Sequence, residues 1–374
     1  MRNKINTLLV LALLLGLALP AYAQRTHVSS KSENDEWMMN RAEDGREFHV
    51  RIKGKLEFTD DYSDIKTMPP GSSLRIEDKF HSLTRKLEIT VDATGQPRRS
   101  YSVQGQAHDF DSEARQWLSE MMLEAVRQCG YDAQRRVARL YERGGANAVL
   151  AEVSLIKNDY TKRIYLRELM TNHQLDAASA RRVVQVVARE MSSAYEKRQT
   201  LSLLAEKYLD DQQTLSEFSA AIATIDSDYE RGQALAVMMK RGPLTTEQLK
   251  GVLPTVAGIS SDYEKAQALI RIVKSSPAEA AALQSFFEAV NSIDSAYEKA
   301  RVLLTLLTAK PSGEALKLTL ASAARISADY EKARVLIQIA GLIKDDETRR
   351  ALVEVARSIG SEYERGRVLS AAFR

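Results

Sequence analysis

Five histidines and two short acidic strings are the side chains of this sequence that could most directly carry out chemistry. The histidines are His27, His49, His81, His108 and His173. No two of them have the spacing at which histidines of one helix or loop share a metal ion. The string HDFD, which begins at His108, could coordinate a metal, but a polar join between two secondary-structure elements is the simpler interpretation. We therefore predict no metal site and no cofactor.

The string TDDYSD brings three carboxylates close together, those of Asp60, Asp61 and Asp64. Carboxylate oxygens are ligands that Ca²⁺ prefers, so a calcium site is one interpretation of this string. It lacks the glycine and the distal glutamate of an EF-hand loop. We favour a solvated turn and keep the calcium site as the alternative.

Motifs of nucleophilic or nucleotide chemistry are missing from the sequence. It holds no Gly-x-Ser-x-Gly elbow, no phosphate-binding glycine loop and no dinucleotide fingerprint. We predict that the protein is not an enzyme. The alternative left open is an enzyme whose site lies at the junction of two domains, because dispersed catalytic residues leave no local motif.

Cys129 is the single cysteine, so no disulfide can form within the chain. We predict a small buried residue in a helix at this position. A redox role or an intermolecular disulfide is the alternative.

A basic residue recurs through the second half of the chain, always two positions after a tyrosine. These residues are Lys162, Lys197, Arg231, Lys265, Lys299, Lys332 and Arg365. Arginine also stands four positions after the last three tyrosines, at Arg301, Arg334 and Arg367. One interpretation is a basic ladder that binds acidic peptides or glycans, formed by Lys265, Lys299, Lys332, Arg301, Arg334 and Arg367. The simpler interpretation is that each arginine pairs with a glutamate three residues earlier on its helix, which only solvates the surface.

The tyrosines themselves define the architecture. They are Tyr160, Tyr195, Tyr229, Tyr263, Tyr297, Tyr330 and Tyr363, spaced 33 to 35 residues apart. We number the repeats 1 to 7 in this order and count positions from each tyrosine. A fixed period in this range is typical of stacked supersecondary units. Isoleucine occupies position −4 in six copies and leucine occupies position +6 in all seven, as expected for a helix with one apolar side.

A second apolar segment follows each of these helices after a short break, such as the one from Ser275 to Pro277. The sequence therefore predicts a mainly α fold, an α-solenoid of helix-turn-helix repeats of about 34 residues. Tetratricopeptide repeats share this period. Their tyrosine does not stand in the first helical turn as it does here, so we predict a tetratricopeptide-like stack of a different sequence class.

Three columns around the tyrosine predict details of each first helix. Five copies read Ser-x-x-Glu from position −2 to position +1, the pattern of a capping box, and Ala328 breaks the serine column. Position +3 is small in repeats 3 to 7, which predicts close helix approach, whereas Arg163 and Arg198 predict different packing in repeats 1 and 2. The tyrosines, with positions +3, +6, +7 and +10, are predicted to pack between repeats rather than to form a platform for sugar rings.

The first part of the chain has a different texture. Residues 24–44 are polar, and we predict a flexible leader there. Residues 45–108 alternate apolar and polar side chains and contain the turn string DATGQP, which predicts a small antiparallel β unit of about four strands. Residues 109–158 are predicted to be a helical connector with a degenerate first repeat, and residues 159–374 the α-solenoid.

Residues 1–23 have the features of a Sec-type signal peptide. Arg2 and Lys4 precede the apolar string TLLVLALLLGLAL, and small residues surround the expected cleavage position after Ala23. An uncleaved anchor is the alternative. We predict a periplasmic or secreted protein with no stable membrane span in the mature chain.

Removal of residues 1–23 lowers the formal net charge from +3 to +1, which argues against a nucleic-acid partner.

Three strings, GKLEFTDDYSDIKTMPPGSSLRIED, RQWLSEMM and DYEKARVL, resemble segments of uncharacterised exported bacterial proteins. Such proteins are related to the extracytoplasmic parts of BlaR1-like M56 peptidase homologues. The zinc motif His-Glu-x-x-His of that peptidase is missing from this sequence, so the resemblance does not extend to peptidase activity. It implies an envelope-facing accessory region.

These observations favour a non-catalytic periplasmic scaffold that binds a protein or peptide in the cell envelope through the solenoid surface. A peptidoglycan-binding or glycan-binding component of envelope-stress or antibiotic sensing is the alternative. The sequence does not identify the partner, the oligomeric state or the face of the solenoid that binds.

Overall fold

The computed structural model describes residues 27–33, 36–43, 45–92 and 94–373. The predicted signal peptide lies outside these described residues. The chain divides into two compact units, one that extends to Met122 and one that begins at Leu123. Among the described residues, no helix combines the length and the apolar character that a bilayer span requires.

The first unit is built on an antiparallel sheet with the strand order β1-β2-β3-β6-β7-β8-β9, and β4 and β5 form a separate ribbon. The strands in the described part of the chain are β1 (His27–Glu33), β2 (Glu36–Glu43), β3 (Arg46–Lys53), β4 (Glu57–Phe58), β5 (Ile65–Thr67), β6 (Ser73–Phe80), β7 (Leu83–Val91), β8 (Pro97–Val103) and β9 (Gln106–His108). Along β3, Phe48, Val50 and Ile52 are buried and the residues between them are exposed. The predicted antiparallel β head is therefore confirmed.

Strands β1 and β2 lie within residues 24–44, so the prediction of a flexible leader is wrong for the described part of that segment. β2 pairs with β3 along its whole length and places Met39, which is fully buried, opposite Val50. A strand with one solvated face is half polar by composition, so the polar sequence of this segment did not predict β2. The prediction of about four strands is too low, because the described sheet has seven.

Two helices follow the sheet along the chain, α1 (Ser112–Cys129) and α2 (Ala133–Leu155). Within the first unit, Trp117 of α1 packs against Tyr101 of β8, with ring centroids 5.6 Å apart. Helix α2 is interrupted by non-helical backbone at Gly144 and Gly145. Gly145 has a φ of 61°, a left-handed conformation that glycine adopts at little cost.

The second unit continues as two rows of helices. The A row contains the helices that carry the tyrosines: α3 (Asp159–Asn172), α5 (Ala194–Lys207), α7 (Asp228–Met239), α9 (Asp262–Ser275), α12 (Ala296–Leu307), α14 (Asp329–Ala340) and α16 (Glu362–Ala372). The B row contains α4 (Ala177–Glu190), α6 (Gln212–Ala223), α8 (Thr246–Ala257), α10 (Pro277–Ala281) with α11 (Gln284–Asn291), α13 (Glu314–Ala324) and α15 (Asp346–Arg357). Each A helix packs on the next A helix, and the B helices are stacked in the same order. This confirms the predicted α-solenoid.

The helix starts follow the predicted serine column, but the predicted capping box is only half formed. The serines Ser193, Ser227, Ser261, Ser295 and Ser361 accept a hydrogen bond from the backbone amide of the glutamate at position +1. Ala328 begins α14 without a side-chain cap. In four of the five copies the serine amide donates to an aspartate of the preceding repeat, not to its own glutamate.

Candidate functional site

Six of the seven repeat tyrosines are exposed, which contradicts the prediction that they pack between repeats. Tyr195, Tyr229, Tyr263, Tyr297, Tyr330 and Tyr363 are between 49% and 74% exposed, and Tyr160 is half-buried. Each is the second residue of its A helix, so all seven occupy equivalent places in the stack. The rings therefore form a row along the A helices.

The exposed side of each A helix is narrow, and the tyrosine lies on it, whereas positions +3 and +6 of the predicted grouping are buried in repeats 3 to 6 as expected. Neighbouring A helices cover both flanks and the B row covers the back, so positions +5, +6 and +9 are buried in repeats 2 to 6, and position +2 is buried in repeats 2, 4, 5 and 6. Leu303 at position +6 is fully buried, for example, whereas Tyr297 on the same helix is 55% exposed. In repeats 2 to 7 the solvent side is formed by the tyrosine with positions +4, +7 and +8, except at position +7 of repeat 4, where Ile270 is buried. We call the surface that these positions form across the row the A-row face.

The lysines of the predicted basic ladder are not on this face, and that part of the prediction is wrong. Lys265, Lys299 and Lys332 are 5–7% exposed. Nζ of Lys265 donates to the carbonyl of Ser292 at 3.2 Å, and Nζ of Lys332 donates to Oγ of Ser358 at 3.1 Å. Desolvation lowers the pKa of Lys299. The two serines end helices α11 and α15, where free carbonyls and the helix dipole favour a cation.

The arginines of repeats 5 to 7 do lie on the A-row face, each in a unit with a tyrosine and a glutamate. Nη1 of Arg301, Arg334 and Arg367 donates to the carboxylate at position +1 of the same helix at 2.7–2.8 Å. The guanidinium carbons lie 5.6–5.8 Å from the centres of the tyrosine rings. The glutamate side chains are 10–12% exposed and the arginine side chains 30–40% exposed. The charge that faces solvent in these units is therefore positive.

In repeats 1 and 2 a tyrosine and an arginine combine with a glutamate in a different arrangement, and the glutamate comes from the next repeat. Their arginines, Arg163 and Arg198, stand at position +3 instead of +4 and bind the glutamates of the next repeat, Glu196 and Glu230. Both arginines also lie over their own tyrosine rings, 5.2 Å from the ring centres. Here the arginine joins two repeats and is only 18–21% exposed.

Gly232, the small residue at position +3 of repeat 3, leaves room for Glu264 of the following repeat. A side chain added at Gly232 would place its Cβ 2.9 Å from Oε2 of Glu264, too close for an unstrained contact. The seam therefore holds an arginine that binds the glutamate of the next repeat in repeats 1 and 2, and a glycine that accommodates it in repeat 3. The prediction of close approach at small residues agrees with this geometry.

An aspartate at position −1 is a structural residue that the sequence analysis overlooked. Asp159, Asp228, Asp262 and Asp329 each accept the backbone amide of the N-cap serine of the next repeat at 2.7–2.8 Å. Alanine occupies position −1 in repeats 2 and 5, at Ala194 and Ala296. Aspartate recurs 32 to 34 residues before an N-cap serine, and this spacing in the sequence predicts such bonds.

A depression of about 330 Å³ lies on the A-row face in the last three repeats. Its lining residues are Leu304, Leu307, Thr308, Arg334, Ile337, Gln338 and Arg367. They combine two guanidinium groups with an aliphatic floor, and no carboxylate is among these lining residues of the described chain. The depression is thus complementary to a ligand in which an anionic group is attached to an apolar group.

The acidic string and the cysteine have local structural roles. Hydrogen bonds from Ser63 and Thr59 lower the pKa of Asp61 to about 2, and Asp64 binds Arg99 through both carboxylate oxygens at 2.9 and 3.0 Å. These bonds form a turn of the kind that we favoured over a calcium site. Cys129 is buried as predicted, and burial raises the pKa of its thiol to about 12.

The histidines are separate from one another in the described chain. Nδ1 of His49 lies 2.7 Å from Oδ1 of Asn40, and the ring of His173 stacks on Tyr141 with centroids 3.7 Å apart. Among the described residues, no group of three or more His, Cys, Asp or Glu side chains is arranged to hold a metal ion.

Comparisons with known proteins give no relative: no family model, no curated protein and no solved structure matches this chain. The resemblance to BlaR1-like proteins therefore stays a prediction.

Proposed function

We propose that this protein is a non-catalytic scaffold that binds an extended protein or peptide segment along the A-row face. The observation that carries the proposal is the row of exposed tyrosines at equivalent places in successive repeats. Packing explains why a buried leucine or isoleucine recurs in a repeat. It does not explain an aromatic ring that recurs while half of its surface faces solvent.

Tyrosine is well suited to such a surface. It offers a large rigid ring with few rotatable bonds and a hydroxyl that can remain hydrated, and it is enriched at protein interfaces. A partner that covers the exposed half of one ring removes roughly 100 Å² from water, which contributes about 2 kcal/mol. In repeats 5 to 7 the arginine over each ring restricts the motion of both side chains, so less conformational entropy is lost on binding.

The predicted signal peptide supports an exported location, in the periplasm or outside the cell. The resemblance to exported accessory regions supports a partner in the cell envelope. A scaffold function is consistent with a chain whose recurrent polar residues, the +2 lysines and the −1 aspartates, serve contacts between helices and between repeats.

Site-specific photo-crosslinking in cells tests the proposal. We would place p-benzoylphenylalanine at Tyr297 or Tyr330 in the A row, and at Gln213 or Arg350, two exposed positions of the B row, as matched controls. The proposal predicts crosslinks to one partner from the A-row positions and none from the B-row positions. Equal crosslinking from both rows, or none from the A row, would contradict it.

A glycan is the second candidate partner, because exposed tyrosine rings can also stack on sugar rings. Purified peptidoglycan sedimented with the protein at low salt separates the two proposals. Retention that is lost when Tyr297 and Tyr330 are changed to serine would support a glycan partner. Without retention of the unaltered protein, the protein or peptide partner remains.

A further inference from the structure

We propose that the segment bound by the A-row face is an acidic peptide in the polyproline II conformation that advances three residues per repeat. This inference rests on the proposed function and specifies the class of partner. Three observations carry it: the spacing of the tyrosine row, the change of charge along the row, and the depression in the last three repeats.

The spacing of the row fits a polyproline II helix. Consecutive A helices are in direct contact, and helices that pack against one another lie about 8–10 Å apart. A polyproline II helix rises about 3.1 Å per residue with three residues per turn, so its equivalent side chains recur about every 9 Å. Equivalent side chains of a β-strand recur about every 7 Å, which does not match the row. One turn of the peptide therefore corresponds to one tyrosine.

Tyrosine rings suit this conformation chemically. A polyproline II peptide has no internal hydrogen bonds and presents proline rings that pack against aromatic side chains, at little further entropy cost because the helix is already formed. Tyr263, Tyr297, Tyr330 and Tyr363 would each receive one side of a successive turn.

Position +4 of the repeats indicates which part of the bound peptide is acidic. It is glutamine in repeats 2 to 4, at Gln199, Gln233 and Gln267, and arginine in repeats 5 to 7, at Arg301, Arg334 and Arg367. The arginines are held by recessed glutamates through Nη1, and 30–40% of each arginine side chain remains exposed. A fixed guanidinium is a strong partner for a carboxylate. The acidic side chains of the peptide are therefore expected opposite repeats 5 to 7.

The depression provides the place where such a carboxylate would bind. Arg334 and Arg367 line it together with Leu304 and Ile337. A glutamate side chain of the peptide fits this lining, because its carboxylate can bind the arginines while its methylene groups contact the aliphatic floor.

Binding of synthetic peptides to the whole purified protein tests the inference by fluorescence anisotropy. The probe is a labelled peptide of six Glu-Pro-Pro units. Three controls are used: Lys-Pro-Pro units reverse the charge, Glu-Gly-Ser units remove the stiffness together with the proline rings, and Glu-Pro-Pro-Pro units change the period. The inference predicts that Glu-Pro-Pro units bind at least about tenfold more tightly than each control. Equal affinity for the four-residue period, or for the lysine peptide, would overturn it.

Variants connect the binding to the face. Arg334→Gln and Arg367→Gln reproduce the residue that repeats 2 to 4 carry at the same position, so the helix stack should be retained, which a thermal melt followed by circular dichroism would verify. The double variant is expected to weaken binding of the Glu-Pro-Pro peptide about tenfold or more and to reduce its salt dependence. Unchanged affinity and salt dependence would contradict the inference.

The two proposals can fail separately. If the A-row crosslinks form in cells but the peptides bind without preference for charge or period, the class of partner is wrong and the binding face is retained. If the crosslinks do not form, the binding face itself is wrong.

Discussion

In repeats 1 and 2 and in repeats 5 to 7, a tyrosine and an arginine combine with a glutamate in two different ways. In repeats 1 and 2 the arginine at position +3 binds the glutamate of the next repeat and is about one-fifth exposed. In repeats 5 to 7 the arginine at position +4 binds the glutamate of its own helix and is between about one-third and two-fifths exposed. In both arrangements the glutamate is recessed and the guanidinium lies over the ring.

The difference shows how a shift of one residue changes the role of a side chain. Successive residues of an α-helix are about 100° apart around its axis, so the shift moves the arginine from the seam between repeats to the solvent side. In the early repeats the charge pair joins neighbouring units. In the late repeats a small residue fills the seam, and the arginine becomes part of the A-row face.

The ion pairs provide the largest contrast. A double-mutant cycle on Arg198 and Glu230 is expected to give a coupling energy of about 1–2 kcal/mol, because both side chains are mostly buried and belong to different repeats. The same cycle on Arg334 and Glu331 should give about 0.5 kcal/mol or less, as for other i,i+3 pairs. Denaturant unfolding measures both, and equal coupling energies would remove the basis of the comparison.

Changes at the helix N-caps should alter the free energy of unfolding by about 1 kcal/mol, whichever arrangement the arginine of that repeat adopts. Ala328→Ser should raise the free energy of unfolding by about 1 kcal/mol, because it supplies the side-chain cap that α14 lacks. Ser261→Ala is the matched removal and should lower it by a similar amount. If Ala328→Ser has no effect in denaturant unfolding, the cap column does not stabilise the repeats in the way described.

The aspartate column offers a smaller test of the bonds between repeats. Asp228→Ala removes the acceptor of the Ser261 amide and should lower the free energy of unfolding by about 0.5–1 kcal/mol. Ala194→Asp should add the equivalent bond to Ser227 and stabilise by about 0.5 kcal/mol. Thermal melts of the two variants should therefore shift in opposite directions, and a shift in the same direction would contradict the account.

Repeat 4 is intermediate between the two arrangements and gives the smallest stability effect. Glu264 has Gly232 at the seam and Gln267 at its own position +4, so neither of the two arginine positions is filled. Gln267→Arg should create the late arrangement and stabilise by a few tenths of a kcal/mol. The same variant should bind the Glu-Pro-Pro peptide about threefold more tightly. Weaker binding would show that the arginines are not part of the peptide site.

The buried part of the repeat could be predicted from the sequence, and the exposed part could not. The isoleucine, leucine and serine columns have one role each, which is packing or capping, so periodicity is sufficient to assign them. Tyrosine and lysine are amphipathic, and the same column is compatible with burial or exposure. The periodicity predicts the tyrosines in the interior and the lysines at the surface, and the structure shows the reverse for both.

The reversal has a simple physical cause. A helix within a row has neighbours on three sides, and only the relative placement of these neighbours determines which narrow side remains free. That placement depends on contacts between residues more than 30 positions apart, such as the bond from the Ser295 amide to Asp262. The periodicity of one helix does not contain this information. Strand β2 could not be predicted for a different reason: Met39 is buried opposite Val50 of the adjacent strand β3, and the polar composition of residues 24–44 does not indicate this.

Hydroxyl-radical footprinting of the protein in cells and in purified form tests the central claim most directly. In the purified protein, Tyr297, Tyr330 and Tyr363 should be oxidised readily, whereas the buried Tyr165 should not. In cells the three row tyrosines should become protected together, while Phe80 and Leu155, which are exposed outside the A-row face, keep their reactivity. Row tyrosines that are unreactive in the purified protein, or that react equally in cells, would contradict an exposed row that binds a partner.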